Sequence, residues 1–69
     1  MVTVGMKFDK LAGWYKVVDE VISSKGRYDF AKCHEDDGFI VYVIFCDGIS
    51  FISTNSLDAG LREFEMWAK

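Results

Sequence analysis

Phe39-Ile-Val-Tyr-Val-Ile-Phe-Cys46, then Asp47-Gly48, then Ile49-Ser-Phe-Ile-Ser-Thr54, is the run from which the fold is read. Its first eight residues are almost all β-branched or aromatic, the composition of a strand covered on both faces. Asp-Gly supplies the two positive-φ positions of a type I′ turn, whose twist matches that of the strands it joins. Residues 39–54 therefore predict a β-hairpin with a buried first strand.

Downstream, Thr54-Asn55-Ser56 ends the sheet, because these side chains compete for backbone hydrogen bonds and prefer turns and caps. Asn55 with Asp58 approximates a capping box. From about Ser56 to Ala68, Leu57, Leu61, Phe64 and Ala68 share one stripe, with Gly60 and Trp67 on its flank, so an amphipathic helix is expected. Asp58 and Arg62, and Glu65 and Lys69, are acid-before-base pairs at i, i+4, each worth about 0.2–0.5 kcal/mol.

Upstream, Arg27–His34 reads as a strand, with Tyr28 and Phe30 on one face and Asp29, Ala31 and Cys33 on the other, and residues 35–38 as the loop after it. Between Asp9 and Gly26 the spacing is helical. Leu11, Tyr15, Val18 and Ile22 fall at i, i+4, i+7 and i+11, flanked by Trp14 and Val21, an apolar arc of roughly 120°. The pattern predicts a helix over Lys10–Lys25 with Asp9 as its N-cap, Lys16, Asp19, Glu20 and Ser23 outward, Lys25 at the negative end of the dipole and Gly26 as its terminator. Val2-Thr-Val-Gly-Met-Lys-Phe8 alternates, with Val2, Val4, Met6 and Phe8 on one side, and predicts an N-terminal strand.

The expected fold is α+β and two-layered: an antiparallel three- to four-stranded sheet packed by two helices, in the order (β)-α-β-β-β-α. With no proline, no repeat and no linker-like stretch, residues 1–69 are expected to form one domain.

A domain of 69 residues buries only about 60% of the surface its unfolded chain exposes. This one is 51% apolar and 16% aromatic, so part of that surplus is expected on the surface, where it meets a second copy or another protein. No apolar run is long enough to cross a bilayer, so no membrane association is expected. The N-terminus lacks a basic region followed by an apolar run, which points to a cytoplasmic, reducing setting with Cys33 and Cys46 as free core thiols, a cross-strand disulfide between them being the alternative.

Motifs with a chemical mechanism are missing. Cys33-His34 followed by Glu35-Asp36-Asp37 gathers four kinds of ligand, but zinc sites want spaced pairs that converge, and the alternating oxygen ligands of a calcium loop are not there. No metal or cofactor is expected. His34 is the one candidate general base, and Cys33 beside it in a strand points to the opposite face, so the two cannot act as a pair. There is no phosphate-binding glycine loop and no serine elbow. An enzyme built on His34 is the least favoured reading, and a non-enzymatic protein is expected.

Charge is the more useful signal. Residues 1–34 carry six basic and four acidic side chains, residues 35–69 two basic and seven acidic, so a net charge of −3 hides halves of +2 and −5. Direct nucleic-acid binding would need a basic stripe to displace counterions, and is not expected. A protein partner with a basic surface suits the acidic half. On the last helix, Met66 lies roughly 160–180° from the core stripe, and Trp67 sits at its edge. The candidate partner-binding residues are therefore Glu35, Asp36 and Asp37 on the loop, Glu63 and Glu65 on the helix, and Met66 and Trp67 as the apolar anchor. Behind these, the face of the first predicted helix bearing Lys16 and Glu20 is the next candidate, and a homodimer that pairs exposed apolar surface is the alternative reading.

The order helix, three strands, helix, with an acidic surplus and no active-site motif, is similar in layout to some anti-CRISPR proteins, with no motif matched residue by residue. That likeness implies an inhibitor or regulator, encoded by a phage or mobile element, that docks on a nucleic-acid-handling protein.

Overall fold

Strand chemistry prevails over the helical stripe in the first third of the chain. In the computed structural model, which describes residues 2–68, the predicted helix over Lys10–Lys25 is replaced by most of a hairpin: β1, Lys7–Leu11, and β2, Trp14–Lys25. The remaining elements are β3, Tyr28–Glu35, β4, Ile40–Cys46, β5, Ile49–Thr54, and one helix, α1, Leu57–Trp67. The strands form one antiparallel sheet in the order β1-β2-β3-β4-β5. The expected sheet of three or four strands packed by two helices is thus corrected, among the described residues, to five strands and a single helix.

The misleading stripe has a physical origin. Trp14, Tyr15, Val17, Val18, Val21 and Ile22 are aromatic or β-branched and suit a pleated surface. Against β3, the register of β2 shifts between Val18 and Glu20 and again between Val21 and Ser23. Each bulge inserts one residue and reverses the facing of the residues beyond it. Val18 and Val21, three apart, therefore both pack on one face, while Ile22 packs on the other. A doubly bulged strand reproduces the spacing of a helical face.

The ends of the supposed helix serve other purposes. Asp9 caps nothing: at φ +52 it sits in a bulge of β1, where the register passes from Phe8↔Lys16 to Leu11↔Trp14. Its carboxylate accepts from the Ser50 hydroxyl at 2.7 Å and lies 3.5 Å from the Lys16 ammonium. Gly26 belongs to the two-residue loop between Lys25 and Tyr28. Ala12 and Gly13, at φ +51 and +87, form a second loop with the backbone pattern of Asp47-Gly48, at +54 and +82. The N-terminal alternation also fails as a strand. Residues 3–6 turn, with Met6 N–H donating to Thr3 O at 3.1 Å, so Val2 is buried whereas Val4 is exposed.

The sheet is curled, and both of its faces are used. On the inner face Val2, Val18, Ala31, Cys33, Val43 and Phe45 form the core, joined by Met6, Phe8, Val21 and Val41. Phe8 of β1 meets Phe45 of β4 edge-on at 4.9 Å, a contact across two intervening strands that the curl makes possible. On the outer face Phe30 and Ile44 pack against Phe64 and Ala68 of the helical segment, with Ile22, Tyr28, Tyr42, Ile52 and Leu61 around them. The unbroken apolar run of β4 is explained by these two cores.

The helix starts at Ser56, whose Oγ accepts from Ala59 N–H at 3.3 Å, one residue beyond the Asn55 expected from the sequence. Gly60 lets the helix approach the sheet closely, since a Cβ there would lie 2.6 Å from the Phe30 ring. Asp58 and Arg62 form no ion pair, and the expected pairing of Glu65 with Lys69 falls outside the described residues. Among the described residues no helix is long and apolar enough to cross a membrane.

Candidate functional site

The acidic loop is a tight turn between β3 and β4. Gly38 N–H donates to Glu35 O, and Glu35 N–H to Phe39 O, both at 2.8 Å, while Phe39 N–H donates to Asp37 Oδ1 at 3.2 Å. This leaves Asp36 and Asp37 exposed and Glu35 half-buried. Lys16 pairs with Glu35 across β2 and β3, which brings the start of β2 beside the loop. Asp9, Trp14, Tyr15, Lys16, Glu35 and Asp36 line one shallow depression.

Apolar side chains that the sequence reading placed on a buried stripe or in a buried strand stand next to these acids. Trp14 is 58% and Leu11 77% exposed, because they flank the Ala12-Gly13 loop at the tip of the β1–β2 hairpin. Phe39, just past the loop, is exposed as well. Of the cations nearby, Lys16 is paired with Asp9 and Lys7 lies over the Tyr15 ring at 4.9 Å from its centroid, whereas Lys10 is exposed beside Leu11 and Trp14. A Gly inside a supposed helix, at Ala12-Gly13-Trp14, was the available signal that the tip is a turn.

The second group lies at the other end of the sheet. Met66 is 65% and Trp67 49% exposed, Glu65 is exposed and Glu63 half-buried. Trp67 is held in place: its Nε1–H donates to Glu63 Oε2 at 3.3 Å, and its ring stands edge-on to Phe51 at 5.4 Å. Phe51 in turn meets Tyr28 at 6.0 Å. Tyr28 begins β3 and Glu35 ends it, a separation of about 23 Å at 3.3 Å per residue. The structure thus does not unite the seven candidate residues. Glu35 and Asp36 share a depression with Trp14, and Asp37 bonds the backbone of exposed Phe39 beside them, whereas Glu63 bonds Trp67, which meets Phe51 and through it Tyr28, with Glu65 and Met66 exposed on the same helix.

His34 Nδ1 lies 2.7 Å from Asp19 Oδ1 on the surface. Cys33 faces the inner core, where burial, and secondarily the Asp19 charge, pushes its thiol from 9.0 up to about 12. A thiol held protonated is a poor nucleophile, which removes the remaining interest in the Cys33-His34 dipeptide. Cys33 pairs with Val41 and Cys46 with Tyr28, so the two sulfurs sit at separate places along β3 and β4, and both are free. Among the described residues no group of three or more His, Cys, Asp or Glu side chains is placed to hold a metal ion.

Comparison with protein-family models, with curated proteins and with solved structures found no match to this chain.

Proposed function

We propose that this chain is a small acidic, non-enzymatic protein-interaction module that docks on a basic surface of a larger protein and regulates or inhibits it. The observation that carries the reading is the single depression in which Glu35 and Asp36 meet the exposed Trp14. Carboxylates of one sign raise the encounter rate with a basic surface, and an exposed aromatic beside them supplies the contact that slows release. Proteins that handle nucleic acids carry basic surfaces because they must neutralise phosphates, which makes them the favoured class of target. The layout likeness to anti-CRISPR proteins required a helix ahead of the sheet; the chain has a β-hairpin there, so the target class rests on charge alone.

Paired affinity capture tests the reading, with the wild-type chain and an Asp36→Lys/Asp37→Lys chain as baits in lysate of the source cells at low salt. The captured protein, once purified, is then used for kinetics. Charge reversal should lower the association rate and flatten its salt dependence, while Trp14→Ala should raise the dissociation rate about tenfold or more with the fold intact. A captured partner whose binding is indifferent to both changes would overturn the assignment of this end of the molecule.

A further inference from the structure

The two edges of the sheet are unlike. β1 carries Lys7, Asp9 and Lys10 and a bulge with Asp9 in the left-handed region, features that discourage another strand from pairing with it. β5, Ile49-Ser-Phe-Ile-Ser-Thr54, has neither a charged residue nor a proline. β1 reaches β5 through the Asp9–Ser50 hydrogen bond, and beyond it Phe51, Ile52 and Ser53 face an open cleft. We infer that this edge pairs with the same edge of a second copy of the chain, antiparallel, about a two-fold axis that passes between Phe51 and Ile52.

The facing of the side chains supports that register. Against β4, the pairing passes from Ile44↔Ile52 to Phe45↔Ser50, which leaves Phe51 as a bulge residue. Ile52 and Phe51 therefore both lie on the helix face: Ile52 packs in the outer core, and Phe51 meets Trp67. Thr54 also lies there, its methyl 3.4 Å from where a Gly60 Cβ would be, and so does Ile49, paired with Cys46 one residue beyond inward-facing Phe45. Ser50 and Ser53 face inward, paired with Phe45 and Val43. A two-fold between residues 51 and 52 then sets Phe51 opposite Ile52, Ser50 opposite Ser53 and Ile49 opposite Thr54. Every opposed pair shares a face. In a strand without the bulge, this register would oppose inward to outward side chains. Aromatic–aliphatic and Ser–Ser pairs are favourable cross-strand neighbours.

Occupancy by a second copy also accounts for the exposed apolar surface at this end. Antiparallel edge pairing, in which the Asp9–Ser50 hydrogen bond must give way where the second copy's strand enters, keeps both helices on one face of a continuous ten-stranded sheet. Ile49, Phe51 and Trp67 of each copy then line the seam and cover those of the other. Two chains of net charge −3 repel, but the seam itself brings no charged strand residue into opposition. Added salt should therefore strengthen self-association. The acidic loop is left free at the far end, so this inference stands apart from the docking proposed above.

Sedimentation equilibrium from about 1 μM to 1 mM decides it, at low and at moderate salt, with Phe51→Lys as the test variant and Phe39→Ala as the control at the far end. The wild type and Phe39→Ala should dimerise, more tightly at moderate salt. Phe51→Lys, with unchanged circular dichroism, should raise the dissociation constant at least about tenfold. Should Phe51→Lys not fold, amide hydrogen exchange on the wild type gives the answer: residues 50–54 should gain protection as concentration rises, and residues 7–10 should not. A wild type that stays monomeric to 1 mM, a folded Phe51→Lys that dimerises as well as the wild type, or protection gained on β1 in place of β5 would each overturn the inference.

Discussion

Cys33 and Cys46 are a matched pair of probes at the residue scale. Cys33 is fully buried with its thiol pushed up to about 12, whereas Cys46 is half-buried at the end of β4. In the folded protein Cys46 should react with a thiol reagent at pH 8, and Cys33 only at the rate of unfolding, a difference that mass mapping of the labelled peptides reads directly. The raised thiol also sets a pH dependence. Below pH 9 both states hold the proton and nothing changes; from 9 towards 12 the unfolded chain loses a proton that the folded chain keeps, so stability falls, by about 1.4 kcal/mol per pH unit. Urea midpoints should therefore drop less steeply above pH 9 in Cys33→Ala than in the wild type. The tight turns give a second contrast at this scale. Gly48 at φ +82 should not tolerate valine, and Gly48→Val should cost about 1 kcal/mol or more; Ala12 at φ +51 already bears that strain, so Ala12→Gly should stabilise by about 0.5–1 kcal/mol. Opposite shifts of the melting temperature test both.

Elements are held here by what they pair with more than by their own propensities. β2 is regular only in relation to β3: its two bulges place Val18 and Val21 together in the inner core and send Ile22 to the outer one. The helix depends on Gly60 in the same way. Alanine would gain about 1 kcal/mol of helix propensity, yet its Cβ would stand 2.6 Å from Phe30, a fully buried ring held between Tyr42 and Phe64. Overpacking of such a site costs about 1–3 kcal/mol, so Gly60→Ala should be net destabilising by about 1 kcal/mol in urea titration. A stabilised variant would mean that Phe30 can move aside. Strand 39–46, the Asp47-Gly48 turn, strand 49–54 and the last helix are legible from sequence because their signals are local: composition, turn chemistry and a single stripe. The β1–β2 hairpin is not, since its bulges exist only in the presence of a partner strand.

Across the whole molecule, the acids and the aromatics divide between two ends. One end sets Glu35 and Asp36 beside Trp14, with Asp37 and Phe39 in the same turn, and the other sets Glu63 beside Trp67 and Phe51, with Glu65 and Met66 exposed on the same helix. Ionic strength should act on them in opposite senses. Attraction to the proposed basic partner at the loop end should weaken as salt screens it, whereas the proposed self-pairing along β5 should strengthen as salt screens the repulsion between two chains of charge −3. Titrating salt against partner binding and against sedimentation in parallel separates the two surfaces, because a single shared interface would respond with one sign.

The candidate site was only half legible. Asp36 and Asp37 could be named as exposed because three consecutive acids before a glycine make a solvated turn wherever the chain goes. Trp14 and Leu11 could not, since a helical stripe and a bulged strand share one spacing but bury different residues. By itself, then, the sequence determined the buried strand and its turn, the terminal helix, the acidic loop and the excess of apolar surface, all of which depend on neighbours a few residues away. Only the tertiary structure decided the β1–β2 hairpin, the curl that brings Phe8 to Phe45, and which apolar side chains accompany which acids. Those depend on pairing between segments distant in the chain, where one inserted residue reverses every side chain beyond it.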